Sequence, residues 1–207
     1  MGLYSRLFAR CYDSLMARYE EHIAARKREL FAPVSGTIVE IGPGTGVNLQ
    51  YVKAGSRWIG IEPNPHMHAA IAKRAKAAGV EAELRMARAD GIDVGDAEAD
   101  VVVSTLVLCS VPDLSRTLAE VRRVLKPTGE FRFIEHVAAP AGTGLRLLQS
   151  VIKPAWYALG DGCRIDRDVG SAIEAAGFSE LALDTFRVPR SLVPPWVSPH
   201  IMGSARR

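Results

Sequence analysis

Three short stretches bring acids and glycines together at spacings that suit ligand binding. In the first, "VEIGPGTG" (residues 39–46), Glu40 stands two places before Gly42, and Gly44, Thr45 and Gly46 follow. A dinucleotide loop spaces its glycines G-x-G-x-x-G and hands a pyrophosphate to the next helix N-terminus. Here the spacing is G-x-G-x-G, with a carboxylate beside the first glycine. That carboxylate would repel a pyrophosphate and attract a cation. The second stretch, "IGIEPNP", ends an apolar run in Glu62 and Pro63. An acid at that place can accept both hydroxyls of a ribose. The third is "ARADGI", where Asp90 is placed to meet an adenine amino group and the Ala89 backbone the ring. The three together imply a ligand with an adenosine end, a cationic end and no phosphate. S-adenosylmethionine (SAM) has that description.

These acids need strands that end side by side. "TIVEI" (37–41) is a β-branched run suited to a buried parallel strand. Further strands are expected at 58–62, 81–87, from 100 onward, and at 130–137, 180–188 and 200–205. Helices are expected between them: about 46–54, 65–78 with Pro65 at its start and Gly79 past its end, 114 to just before Pro127, 144–159 and 168–177. Strands alternating with helices predict an α/β fold, a three-layer doubly wound Rossmann-like sheet of seven strands. Ligands in such sheets sit outside the strands' carboxyl ends, which is where the three acids fall. Residues 1–33 read as a helical N-terminal extension, in two helices meeting near residue 20. Residues 34–207 read as one domain. Leu3, Leu7, Phe8, Cys11, Tyr12, Leu15, Met16 and Tyr19 recur at helical steps and make one apolar stripe.

Composition closes off several alternatives. The 207 residues suffice for one domain with a substantial core. A hydrophobic share of 48% against 24% charged excludes both disorder and a membrane bundle. The net charge of +3 is spread along the chain, so no nucleic-acid partner is implied. Cys11, Cys109 and Cys163 are far apart, with no Cys/His metal spacing. They read as reduced thiols in a cytoplasmic protein with no metal. His66 and His68 do not share a helix face and are not read as ligands. Arg6, Arg10 and Arg18 interrupt the apolar N-terminus, so it reads as neither signal peptide nor spanning helix.

The motifs resemble the class I SAM-dependent methyltransferases over about residues 28–207. "VEIGPGTG", "IGIEPNP", "ARADGI" with "ADVVVS", and "VRRVLKPTGEFRFIEH" carry the likeness. By that resemblance Glu40 and Gly42 to Gly46 hold the methionine moiety, Glu62 the ribose, and Ala89 and Asp90 the adenine. Thr105 and Leu106 line the cofactor floor. It also implies that the last of the seven strands is antiparallel. "STLVLCSV", "FIEHVAAP", "PAWYALGDGC" and "PHIMGSARR" are similar to the methyltransferase-like protein 7 group, whose animal members are thiol S-methyltransferases. Those relatives begin with a long apolar anchor, where this chain has an arginine-bearing amphipathic helix.

The acceptor end is read from "FIEHVAAP" and "GDGC". Glu135 and His136 close the fifth strand, beside the expected methyl group. His136 is a candidate base or orienting group, and equally a structural hydrogen-bonder. Asp161 is a candidate to bind or deprotonate the acceptor, or a turn former between two glycines. Tyr12, Cys109, Trp156 and Cys163 are assigned to the walls of the acceptor pocket, with plain packing as the alternative for each. The N-terminal stripe reads as a lid, with Tyr4, Tyr12 and Asp13 near the pocket, ahead of simple packing and of peripheral membrane contact. The expected reaction is methyl transfer to a small apolar thiol. Alternatives are a phospholipid amine, a quinone-like ring, or SAM binding without catalysis. A monomer and a homodimer both fit.

Overall fold

A computed structural model describes the chain from Leu3 to Arg207, with side chains at Arg6 and Ala9 and from Cys11 onward. The Tyr4 assignment falls outside the described side chains. Helix α1 (Leu3–Phe31) leads into strand β1 (Thr37–Ile41). There follow β2 (Arg57–Ile61), α2 (Pro65–Ala78), β3 (Glu81–Arg85), β4 (Ala99–Thr105) and α3 (Leu114–Val124). The chain closes with β5 (Leu125–His136), α4 (Gly144–Leu159), α5 (Val169–Ala175), β6 (Ser179–Arg187) and β7 (Pro199–Arg206).

The seven strands form one sheet in the order β3-β2-β1-β4-β5-β7-β6. Strands β1 to β5 pair in parallel. β7 runs antiparallel to both β5 and β6 and lies between them. Strand order reverses between β1 and β4, so their carboxyl ends open a crevice. Alternate residues feed two cores. Val39, Ile41, Ile59, Val102 and Phe131 pack under α3 and α5. Ile38, Trp58, Val101 and Val103 pack with Leu30, Phe31 and Ile71 of α1 and α2. A parallel strand covered on both faces buries nearly every position, and "TIVEI" and "VVVS" read as near-continuous apolar runs.

Helix boundaries follow local chemistry. The Asn64 side chain accepts from the His66 N–H at the start of α2, and Gly79 closes it at φ +66°. Asp113 accepts from the Arg116 N–H and caps α3. Three sequence expectations are corrected. The two N-terminal helices are one, because nothing near residue 20 breaks the pattern. The helix expected at 46–54 is a single 3-10 turn, Val47–Tyr51. It starts from Gly46 at φ +80° and turns the Asn48 side chain inward, to Glu40 and Thr105. α3 stops at Val124, and β5 begins two residues before Pro127. Ala99 pairs with Leu125, and the register then jumps to Val101 and Glu130. Among the described residues, no helix is long and apolar enough to cross a membrane.

Candidate active site

A cavity of about 720 Å³ opens at the carboxyl ends of β1 and β4, within the range of small-molecule sites. One end is built by the loop after β1. Gly42 (φ +59°) and Gly44 (φ +57°) hold left-handed backbone that favours glycine. A Cβ on Gly42 would sit 2.6 Å from a Val107 methyl, so the turn needs glycine for space as well. The Gly44 N–H donates to Glu62 Oε2 at 3.0 Å, and the Asn64 N–H to Oε1 at 2.8 Å. Glu62 thus ties the glycine turn to the loop after β2. Burial pushes its carboxyl up, against the two backbone bonds that favour the carboxylate. Pro63, Ala89 and Leu106 line the same end.

Beyond the glycine turn lie the expected acceptor groups: Tyr12, Cys109, His136, Trp156, Asp161 and Cys163 all line the cavity, and the Tyr12 ring faces Gly44. His136 Nε2 lies 3.0 Å from Cys163 Sγ, and the Trp156 indole N–H donates to that sulfur at 3.2 Å. Cys109, His136 and Cys163 bring their ligand-type atoms within 4.8 Å of one another, and all three are buried. Strand topology gathers groups that sequence spacing keeps far apart. The hydrogen bond from Cys163 and the neighbouring His136 hold Cys109 well below the usual thiol range, and the same contact pushes Cys163 up. Burial alone would lower His136, but the Cys109 sulfur and Glu135 outweigh it and raise it. Asp161 faces the cavity at φ +51°, a conformation asparagine and aspartate tolerate.

Six assigned residues do not line the cavity. Glu40 is fully buried, and its oxygens accept from Asn48 Nδ2 at 2.7 Å and Trp58 Nε1 at 3.0 Å. It braces the glycine loop from below. Thr105 Oγ1 accepts from the same Asn48 amide. The Thr45 hydroxyl donates to Asp13 at 2.6 Å, and Gly46 turns into the 3-10 turn. Asp90 pairs with Arg88 at 3.1 Å beside the cavity. Glu135 is the plainest correction. It accepts from Ser104 Oγ (2.5 Å) and from the backbone N–H groups of Val107 and Leu108 (both 3.1 Å). It is fully buried, and burial pushes it up to about 8. Its work is to hold the turn after β4, on which Leu106 and Cys109 stand.

Sequence reasoning missed the wall formed by Leu192, Val193 and Val197, and the contributions of Tyr19 and His200. His200 Nδ1 donates to the Ser198 carbonyl at 3.0 Å, which leaves Nε2 to accept from the Tyr19 hydroxyl at 3.1 Å. Burial lowers His200 to about 4, so the ring is neutral. The apolar, proline-rich "RSLVPPWVSPH" was the available signal for this wall.

A sheet of this order with a glycine turn and an acid after β2 is the frame of a SAM-dependent methyltransferase. Residues 39–133 match the methyltransferase domain family. The chain is 40% identical to human thiol S-methyltransferase TMT1A, an alignment covering 99% of this chain and 89% of that protein. It is 37% identical to human thiol S-methyltransferase TMT1B, over 99% and 89%. A solved Thermotoga maritima SAM-dependent methyltransferase, described as a possible histamine N-methyltransferase, superposes with a TM-score of 0.65 at 20% identity, covering 97% of this chain and 98% of that one. The chain therefore belongs to the SAM-dependent methyltransferases, in the family that contains TMT1A and TMT1B, and SAM is its methyl donor.

Proposed function

We propose that this enzyme methylates the sulfur of small apolar thiols. The observation that carries this reading is the acceptor end of the cavity. It combines apolar walls, Trp156, Leu192, Val193 and Val197, with a buried group of two sulfurs and an imidazole. The near-full-length likeness to two thiol S-methyltransferases supports the same acceptor.

In this reading Glu62 meets the ribose hydroxyls with the lone pairs its backbone bonds leave free. Ala89 and Asp90 meet the adenine, and the turn around Gly42 and Gly44 approaches the methionine part. SAM supplies an electrophilic methyl group. His136, with Cys109 and Cys163, receives the acceptor's sulfur, and Asp161 meets its proton. A free thiol has a pKa of about 8.5, so a fraction is thiolate near neutrality and no strong base is demanded. Thiolate and sulfonium lose their charges together, so an apolar cavity favours the transfer. Residues 1–33 act as a lid on the domain of residues 34–207. Tyr12, Met16 and Tyr19 present α1 to the cavity, and Asp13 ties it down through Thr45 and Arg74. The enzyme is placed in the cytoplasm in this reading, with Cys11, Cys109 and Cys163 as reduced thiols.

The test is transfer of a labelled methyl group from SAM to soluble alkyl thiols, amines and phenols, with and without phospholipid vesicles. Thioether formed without vesicles supports the reading. Transfer to phospholipid amines alone, dependent on vesicles, would replace it with lipid N-methylation.

A further inference from the structure

Cys109 stands on the turn after β4, His136 ends β5 and Cys163 follows α4. Three elements thus converge on one point at the acceptor end of the cavity. One imidazole nitrogen and two sulfurs lie within 4.8 Å of one another, buried yet part of the cavity wall. A hard cation such as magnesium or calcium takes oxygen ligands. Two sulfurs with one imidazole suit a borderline-soft ion, zinc above all. Zinc–sulfur bonds of about 2.3 Å and zinc–nitrogen bonds of about 2.0–2.1 Å place tetrahedral ligand atoms roughly 3.5–3.8 Å apart. The observed separations, all within 4.8 Å, are of that order. The Trp156 indole N–H already points at Cys163 Sγ, the kind of outer contact that holds a thiolate ligand in place. Structural zinc sites use four protein ligands, whereas a site of three leaves a position for water or substrate.

We propose that Cys109, His136 and Cys163 bind a zinc ion whose fourth position opens to the cavity and takes the acceptor's sulfur. The acceptor role of the ion rests on the thiol reading above. Both cysteine thiols lose their protons on binding the ion. The acceptor R–SH coordinates as thiolate, and its proton passes to Asp161 and on to water. A lone pair on that sulfur forms the new bond to the methyl carbon of SAM. The methyl–sulfonium bond breaks, and its electron pair stays on the sulfur of S-adenosylhomocysteine. Nothing is oxidised or reduced. Two cysteine thiolates, one acceptor thiolate and the divalent ion sum to one negative charge, which faces the positive sulfonium. Both charges vanish on transfer. The neutral thioether is a weak ligand and gives way to the next thiol.

The experiment measures zinc in protein purified under reducing, chelator-free conditions, then replaces it with cobalt and records the visible and near-ultraviolet spectrum. The expected result is stoichiometric zinc, sulfur-to-cobalt charge-transfer absorption, and a spectral change when a small alkyl thiol is added. C109S and C163S lose the ion and keep the SAM affinity of the parent, which shows that they fold. A parent protein that binds SAM and methylates thiols, yet holds no zinc and gives no cobalt–sulfur absorption, overturns the ion site and leaves the thiol reading standing. Retention of zinc by C109S or C163S overturns the ligand set. A cobalt spectrum indifferent to thiols, in protein that methylates none, overturns the acceptor role together with the thiol reading.

Discussion

Glu62 is held on both oxygens by backbone N–H groups, from Gly44 and Asn64, so its position is fixed before any nucleoside arrives. Hydrogen bonds to charged groups contribute about 1.5–3 kcal/mol, so Glu62→Gln should raise the SAM dissociation constant roughly ten- to hundredfold. Isothermal titration checks this, and unchanged affinity would remove Glu62 from the ribose. His200 makes a second residue-scale prediction. Its folded pKa, about 4, lies below the ordinary 6.5. The unfolded chain therefore binds the proton first, and stability present above pH 6.5 is lost as pH falls toward 4. The loss is about 3 kcal/mol from the size of that shift. Urea midpoints across this window should fall less steeply in His200→Gln than in the parent; parallel slopes would contradict a buried neutral ring. Glu62 was legible in the sequence because an acid ending an apolar run announces itself. His200 was not, since its role depends on Tyr19, 181 residues away.

At the scale of elements, the turn after β4 is the hinge between donor and acceptor ends. Leu106 takes φ +59° there, and Glu135 reaches across from β5 to satisfy Ser104, Val107 and Leu108. Removing the carboxylate strands two buried donors and one partly buried one. Glu135→Ala should therefore destabilise the fold by about 3 kcal/mol or more and depress turnover with every acceptor alike. Chemical denaturation reads the first effect; a loss confined to weakly acidic acceptors would instead restore Glu135 as a base. The sheet itself was readable, because buried parallel strands appear as continuous β-branched runs. The 3-10 turn at Val47–Tyr51 was not, because its brevity follows from Asn48 turning inward to Glu40 and Thr105. Glu135 was misread for the same kind of reason. Sequence places an acid at a strand end but does not show that backbone N–H groups from a neighbouring turn already occupy it.

Across the whole molecule, α1 closes one side of a cavity whose other walls come from β2, β5, β7 and the loops after β1, β4, α4 and β6. Asp13 anchors it, accepting from Thr45 Oγ1 at 2.6 Å and pairing with Arg74 at 2.8 Å. Asp13 and Arg74 are partly exposed, so Asp13→Ala should lower global stability by only about 1 kcal/mol or less. Its effect on the lid should be larger: faster SAM release by stopped flow and easier proteolysis within residues 3–20. Equal release rates would show that α1 merely packs on the domain. The amphipathic stripe of α1 was legible, and Cys109, His136 and Cys163 were each assigned to the acceptor end, but their approach to within 4.8 Å was not legible, since only the finished sheet brings β4, β5 and the segment after α4 together. In the proposed reaction this cavity transfers a methyl group to sulfur. Initial rates with one carbon skeleton bearing a thiol, an amine or a hydroxyl head group, under saturating SAM, test it most directly. S-methyl thioether should form from the thiol, with the amine and the alcohol slower by about a hundredfold or more, a difference of roughly 2.7 kcal/mol in barrier. A faster amine or alcohol would contradict it.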